Sequence, residues 1–209
     1  MPISPPTAVI VNTGVANTAS VAAALSRLNI AVTLSTDPKT IDATPLLILP
    51  GVGTFAAGIE TLRQNSLEKI ITQRIADDRP TLLICLGLQL LATSSDESPH
   101  TQGLGIIDAH VTRFPPTVRV PQFGWNSITP DPAATLLTPG DAYFANSFRL
   151  THCPPGWHAA WADHGGPFIA ALQRSRILAC QFHPELSSRF GSELLHRWLA
   201  LSAQELSQC

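Results

Sequence analysis

Residues 81 to 91, TLLICLGLQLL, form an apolar run broken by one cysteine, one glycine and one glutamine. The run reads as a buried strand, TLLIC, that passes into a helix, LGLQLLAT. A free cysteine in such surroundings is most often a core thiol. The placement of Cys85 allows a second reading. If it ends a strand and Leu86 starts a helix, the sulfur sits in a sharp turn where unpaired N–H groups favour a thiolate. Gly87 lets strand and helix pack closely behind that turn, and the Leu86 N–H faces developing oxyanion charge. Gln89, one helical turn on, is a polar residue on the same face.

The segments on either side supply the frame. Strand-like Ala8 to Val11 precedes a helical pattern from Asn17 to Leu28 in which Val21, Leu25 and Leu28 recur. Ala31 to Leu34 and Leu46 to Leu49 read as further buried strands, and Ile59, Leu62, Leu67, Ile70, Ile71 and Ile75 form a broken helical stripe. Continuously apolar strands alternating with helices imply a parallel sheet covered on both faces. The second half is β-rich, with VTRF, NSI, AYFANSF, FIAAL and ILACQF separated by Pro and Gly turns, and ends in a helix from Ser192 to Ala203. The expected architecture is a single α/β domain over residues 1–209: a mostly parallel open sheet flanked by helices, with a β-rich second half. In such sheets ligands bind beyond the carboxyl ends of strands, which is where Cys85 falls.

Composition narrows the function classes. The chain has 209 residues, 44% hydrophobic and 13% charged, with a net charge of -2, so it has material for a buried core and no basic footprint for nucleic acid. No apolar run reaches the length of a membrane span and the N-terminus lacks a signal pattern, so a cytoplasmic protein is expected. Cys85, Cys153, Cys180 and Cys209 lie far apart without CxxC spacing, which argues against a zinc site and fits reduced thiols.

A thiol nucleophile needs a base. CQFHPELSS carries His183 and Glu185 two residues apart, so an extended segment projects both to one side, with Pro184 restraining the backbone. A carboxylate that orients an imidazole beside a thiol is the arrangement nucleophilic catalysis requires. Alone, the triplet more often marks a satisfied structural histidine than a catalytic one. His100, His110, His152, His158, His164 and His196 show no comparable spacing. LPGVGTF, residues 49 to 55, follows a predicted strand, and its glycines permit amide groups to approach a ligand, either as part of an oxyanion hole or as a plain β-to-α turn.

LICLGLQLL, LPGVGTF and QFHPE together resemble the class I glutamine amidotransferases, and the likeness runs almost end to end. SVAAALSRL, GLGII at 103, VTRF at 111, VPQFGWN at 120 and YFANSF at 143 are similar in layout to the glutaminase subunits of imidazole glycerol phosphate synthases. The resemblance implies a Cys85, His183, Glu185 triad that hydrolyses glutamine through a cysteinyl thioester, with no metal and no cofactor. It implies an oxyanion hole at Gly51, Val52 and Leu86, and glutamine held by Gly53, Gln89, Asn146, Ser147 and Phe148. It also implies a heterodimer with a (β/α)8 cyclase barrel that receives the ammonia, docked near Trp125, Asn126 and Tyr143; ordinary core packing is the alternative for the two aromatics.

Departures from the usual pattern cluster at these places. Leu83 replaces the glycine two residues before the nucleophile, and Asn12 to Asn17 replace Asp-Tyr-Gly-x-Gly-Asn. Gln122 and Phe123 stand for His-Met, Asn146 for the histidine before Ser147, and Leu186 for the lysine after HPE. Loss of that lysine would delete a cross-subunit ion pair. Other readings are an amidotransferase serving a different acceptor, a regulatory subunit without hydrolysis, and a thiol sensor of similar fold.

Overall fold

The computed structural model describes residues 7–12 and 17–206; Thr13 to Ala16 of the early motif and Cys209 lie outside it. Along the chain, β1 (Thr7–Val11) leads to α1 (Thr18–Ser26), capped by the Asn17 side chain accepting from the Ser20 N–H. Next come β2 (Ala31–Ser35) and α2 (Pro38–Ala43), where Asp37 accepts from the Thr40 N–H at 2.8 Å and Pro38 opens the helix. The stretch β3 (Leu46–Gly51), α3 (Phe55–Gln64), α4 (Glu68–Ala76) and β4 (Thr81–Cys85) follows. The expected break in the helical stripe falls between α3 and α4, where Ser66 takes a left-handed φ of 58°.

The helix expected over LGLQLLAT is only one turn long: α5 covers Leu86–Gln89. The carbonyls of Leu90 and Leu91 accept from Leu104 N at 3.0 Å and Ile106 N at 2.9 Å instead of from amides further along a helix. A long-range loop thus takes over the hydrogen bonds that would have extended α5. The remaining elements are β5 (Ser94–Ser95), β6 (His110–Arg113), β7 (Gln122–Pro130), β8 (Gly140–Asn146), β9 (Phe148–Arg149), β10 (His158–Asp163), β11 (Pro167–Arg174), β12 (Ile177–Cys180) and α6 (Ser188–Leu206).

Nine strands form one sheet in the order β2-β1-β3-β4-β12-β11-β10-β7-β8, and β5-β6-β9 form a smaller one. The pairs β1/β2, β1/β3, β3/β4 and β4/β12 are parallel, and the extension from β12 through β11, β10, β7 and β8 is antiparallel. Alternation along each strand feeds two cores. Ile10, Ile48, Leu82, Ile84 and Leu178 pack with Leu25, Leu194 and Trp198 of α1 and α6. Val9, Leu47, Leu49, Leu83 and Ala179 pack with Ile59, Leu62, Ile71 and Ile75 of α3 and α4. Leu83 is therefore a fully buried core residue. Burying a leucine side chain contributes about 1.5–3 kcal/mol.

Candidate active site

The site is built where β3, β4 and β12 end side by side. Cys85, the last residue of β4, has φ 55° and ψ -108°, outside the common regions for a side-chain-bearing residue. Such a conformation costs on the order of 1–3 kcal/mol and persists because its surroundings enforce it. Gly87 is one such constraint: a Cβ there would lie 2.2 Å from the Leu49 carbonyl oxygen. Gly51, the register partner of Cys85 across β3/β4, is another, since its Cβ would fall 2.8 Å from that of Leu86. Only glycine at both positions lets α5 sit down onto β3 and display the sulfur.

The chain leaves β12 through Gln181 and Phe182 and carries His183 to the same place. The His183 N–H donates to the Tyr143 carbonyl at 2.9 Å, and the Ser187 hydroxyl donates to the His183 carbonyl while accepting from the Tyr143 N–H. The HPE segment is thereby fastened to β8. Pro184–Leu186 forms a 3-10 turn, a correction to the extended segment expected from sequence; a proline after His183 suits the first position of a helical turn. The turn still brings the pair together, with His183 Nδ1 at 2.8 Å from Glu185 Oε1 and the Glu185 side chain almost wholly buried. Cys85 is the second group that acts on the ring. Burial pulls the imidazole pKa down, but the hydrogen bonds and negative charges of Cys85 and Glu185 outweigh it, and the ring is pushed up to about 10.

Gln89 and Gln181 complete the floor. Gln181 Nε2 points at Cys85 Sγ at 3.7 Å, and its Oε1 accepts from Gln89 Nε2 at 2.9 Å, which also reaches the Phe148 carbonyl at 3.3 Å. Cys85 and His183 open into a cavity of about 190 Å³ whose walls include Val52, Gly53, Leu86, Gln89, Asn146, Ser147 and Phe148. The structure thus brings together all the residues singled out for catalysis and substrate contact, with Gly51 just behind in β3.

Two further residues of the site were not read from the sequence. Gln181 lies inside the strand-like run ILACQF, where a lone polar residue in an apolar stretch is the available signal. Glu97 lies in the polar stretch 94–102, whose composition matches a surface loop. Its carboxylate lines the cavity and accepts from Phe55 N at 2.6 Å, capping α3 directly after the Gly51 to Thr54 loop.

Trp125, Asn126 and Tyr143 do not line the cavity: Trp125 and Tyr143 are cross-strand partners on the outer face of β7/β8, and Asn126, the next residue, projects to the other face. Trp125 is 57% exposed and Phe123 71%, so core packing does not account for them. Both meet the Tyr143 ring edge-on, at 6.0 and 5.7 Å between centroids, and Asn126 Nδ2 donates to the Asp163 carbonyl at 2.8 Å. Leu186 is 39% exposed one residue after Glu185. Among the described residues no cluster of His, Cys, Asp and Glu could hold a metal ion, and no helix is long and apolar enough to cross a membrane.

A strand-end cysteine at a forced turn, an imidazole oriented by a buried carboxylate and a polar cavity thus meet at the carboxyl ends of β3, β4 and β12. Residues 9–200 match the family Glutamine amidotransferase class-I, and the chain belongs to that family. Among its relatives is the imidazole glycerol phosphate synthase subunit HisH of Symbiobacterium thermophilum, 38% identical over 194 residues that cover 91% of this chain and 92% of the relative. The HisH subunit of Streptococcus gordonii is 37% identical over 195 residues, covering 91% and 94%. A solved glutamine amidotransferase structure has a TM-score of 0.74 at 20% identity, covering 94% of this chain and 98% of its own, a likeness of fold.

Proposed function

We propose that this chain is the glutaminase subunit of an imidazole glycerol phosphate synthase, releasing ammonia from glutamine and passing it to a (β/α)8 cyclase partner in the cytoplasm. The observation that carries the chemistry is the assembled Cys85, His183 and Glu185 set at one wall of a polar cavity. The family match and the HisH relatives support the acceptor pathway.

In this reading Cys85 Sγ attacks the side-chain carbonyl carbon of glutamine. The His183 imidazolium gives its proton to the leaving nitrogen, so that ammonia departs and a γ-glutamyl thioester remains. The neutral ring then takes a proton from water, which attacks the thioester and frees glutamate and the Cys85 thiol. Glu185 holds Nδ1–H, presenting Nε2 to the sulfur and stabilising the ring's charge. Amides of Gly51, Val52 and Leu86 face the tetrahedral oxyanion. Gln89, Gly53, Asn146, Ser147 and Phe148 surround the substrate, and Glu97, the acidic residue on the cavity wall, receives the α-ammonium group.

The cyclase docks on the face carrying Phe123, Trp125, Tyr143 and Leu186. With Leu186 where the family usually has lysine, that contact is apolar and not an ion pair. A glutamate-release assay tests the proposal, with the chain alone and mixed with a cyclase barrel carrying its nucleotide ligand. Stimulation by the barrel, lost in Cys85→Ala, is expected. Turnover indifferent to the barrel would assign the glutaminase to another synthase, and no turnover in either case would leave a regulatory subunit.

A further inference from the structure

Two buried amides paired across β7/β8, Asn146 on the wall of the Cys85 cavity and Gln122 beside it, have side-chain oxygens that accept no hydrogen bond among the described residues. Asn146 Nδ2 donates to the Phe148 carbonyl at 3.0 Å, which turns Oδ1 the other way. Among the described residues no donor reaches that Oδ1, nor Gln122 Oε1. Gln122 and Asn146 are Cα partners across β7/β8 and only 6% and 4% exposed. Directly paired residues project to the same sheet face with Cβ atoms roughly 4.5–5.5 Å apart. A buried acceptor without a donor costs about 1–3 kcal/mol, so two of them side by side mark a position built for a small donor-rich molecule.

The pair also stands between two cavities. Asn146 lines the Cys85 cavity, while Gln122 lines a surface concavity of about 320 Å³ together with Phe123, Trp125 and Asn126. Ammonia carries three N–H donors and is produced at Cys85 in the reading given above, on which this inference rests. We propose that Gln122 and Asn146 form an acceptor pair that passes ammonia from Cys85 to the concavity beside Phe123 and Trp125. The pair is made of neutral amides, which accept hydrogen bonds from ammonia without giving it a proton and trapping it as ammonium. His164, on the rim of the concavity, already shares Nε2 with the Arg119 carbonyl at 2.8 Å. While the γ-glutamyl thioester lasts, its amino-acid end fills the glutamine side of the cavity. A small amine reaching the thioester carbonyl then comes past the amide pair.

Hydroxylamine reads this route in reverse. Its nitrogen attacks the thioester carbonyl, the C–N bond forms as the C–S bond breaks, Cys85 leaves as thiolate and takes up the proton lost by nitrogen, and γ-glutamyl hydroxamate is released. The measurement is the ratio of hydroxamate to glutamate from glutamine at fixed hydroxylamine, made with the full chain and a cyclase barrel present. Gln122→Met keeps length and removes the acceptor; the ratio is expected to fall roughly five-fold, the worth of one hydrogen bond, with glutamine consumption unchanged. Gln122→Glu, which keeps acceptor oxygens, is expected to hold the ratio at or above that of the unmodified chain. Gln122→Val gives the same test as methionine if that variant does not fold. An unchanged ratio in both apolar variants would overturn the proposal and leave the pair as a seat for water only. Absence of both products from the unmodified chain would instead bring down the glutaminase reading itself.

Discussion

Two neighbouring strands, β4 and β12, each end in a cysteine, and the two thiols have opposite fates. Cys180 is fully buried, and burial together with the nearby Glu185 charge holds its thiol well above the usual range. Cys85, one strand away, takes a left-handed φ and opens with His183 into the same cavity. Apolar strand sequence is common to both. What separates them is the residue that follows: Leu86-Gly87 turns the chain back onto β3, whereas Gln181-Phe182-His183 carries it onward to β8. The two cysteines differ in the turn that follows, not in the strand that precedes.

Exchange of function between the two strand ends is the sharpest way to break that contrast. Cys85→Ala is expected to lower glutamate release by roughly 10⁴-fold or more, while Cys180→Ala leaves it within about two-fold. Steady-state kinetics on the two variants checks this. Next in size is the turn itself. Gly87→Ala drives a methyl into the Leu49 carbonyl and is expected to cost about 1–3 kcal/mol in denaturant unfolding, with activity falling because Cys85 is displaced. Leaving both stability and activity intact would mean that the close approach does not hold the elbow.

Glu185→Gln sharpens the comparison through pH. The His183 ring, raised to about 10 by Cys85 and Glu185 against the pull of burial, stays protonated across the neutral range and loses its proton only toward pH 10. The alkaline limb of the rate profile is expected near that value in the unmodified chain and to move toward the ordinary histidine value of about 6.5 in the variant. A raised folded-state pKa stabilises the fold fully below about 6.5 and ceases to do so as pH rises through about 10. The gap in unfolding midpoint between the unmodified chain and Glu185→Gln is therefore expected to be widest between about pH 5 and 6.5 and to shrink by pH 10. The smallest effect belongs to Cys180→Ala, which trims one sulfur from the core and is expected to cost about 1–2 kcal/mol without a change in rate.

The same contrast explains what could be read from the sequence. Strands β1, β3 and β4 were legible because strands buried on both faces are continuously apolar, and the Cys85 turn was legible because Gly87 marks it. The length of α5 was not: Leu90, Leu91 and Ala92 are as buried as a helix would make them, but their carbonyls are claimed by residues near 104 to 107. Periodicity carries no record of such a long-range partner. His183 and Glu185 were read as neighbours for the wrong geometric reason, since a 3-10 turn and not an extended strand joins them. Glu97 stayed hidden because a capping carboxylate inside a polar loop has the composition of solvent-exposed chain. The facing of Gln122 and Asn146 depends on the β7/β8 register, which pairs residues far apart in sequence.

The most direct test of the account is where the covalent intermediate forms. Acid-quenched samples taken during turnover of glutamine can be digested and the γ-glutamyl adduct located by peptide mass mapping. The adduct is expected on the peptide containing Cys85 and on none containing Cys153 or Cys180. An adduct on Cys180, or turnover with no adduct on Cys85 at any time, would contradict it.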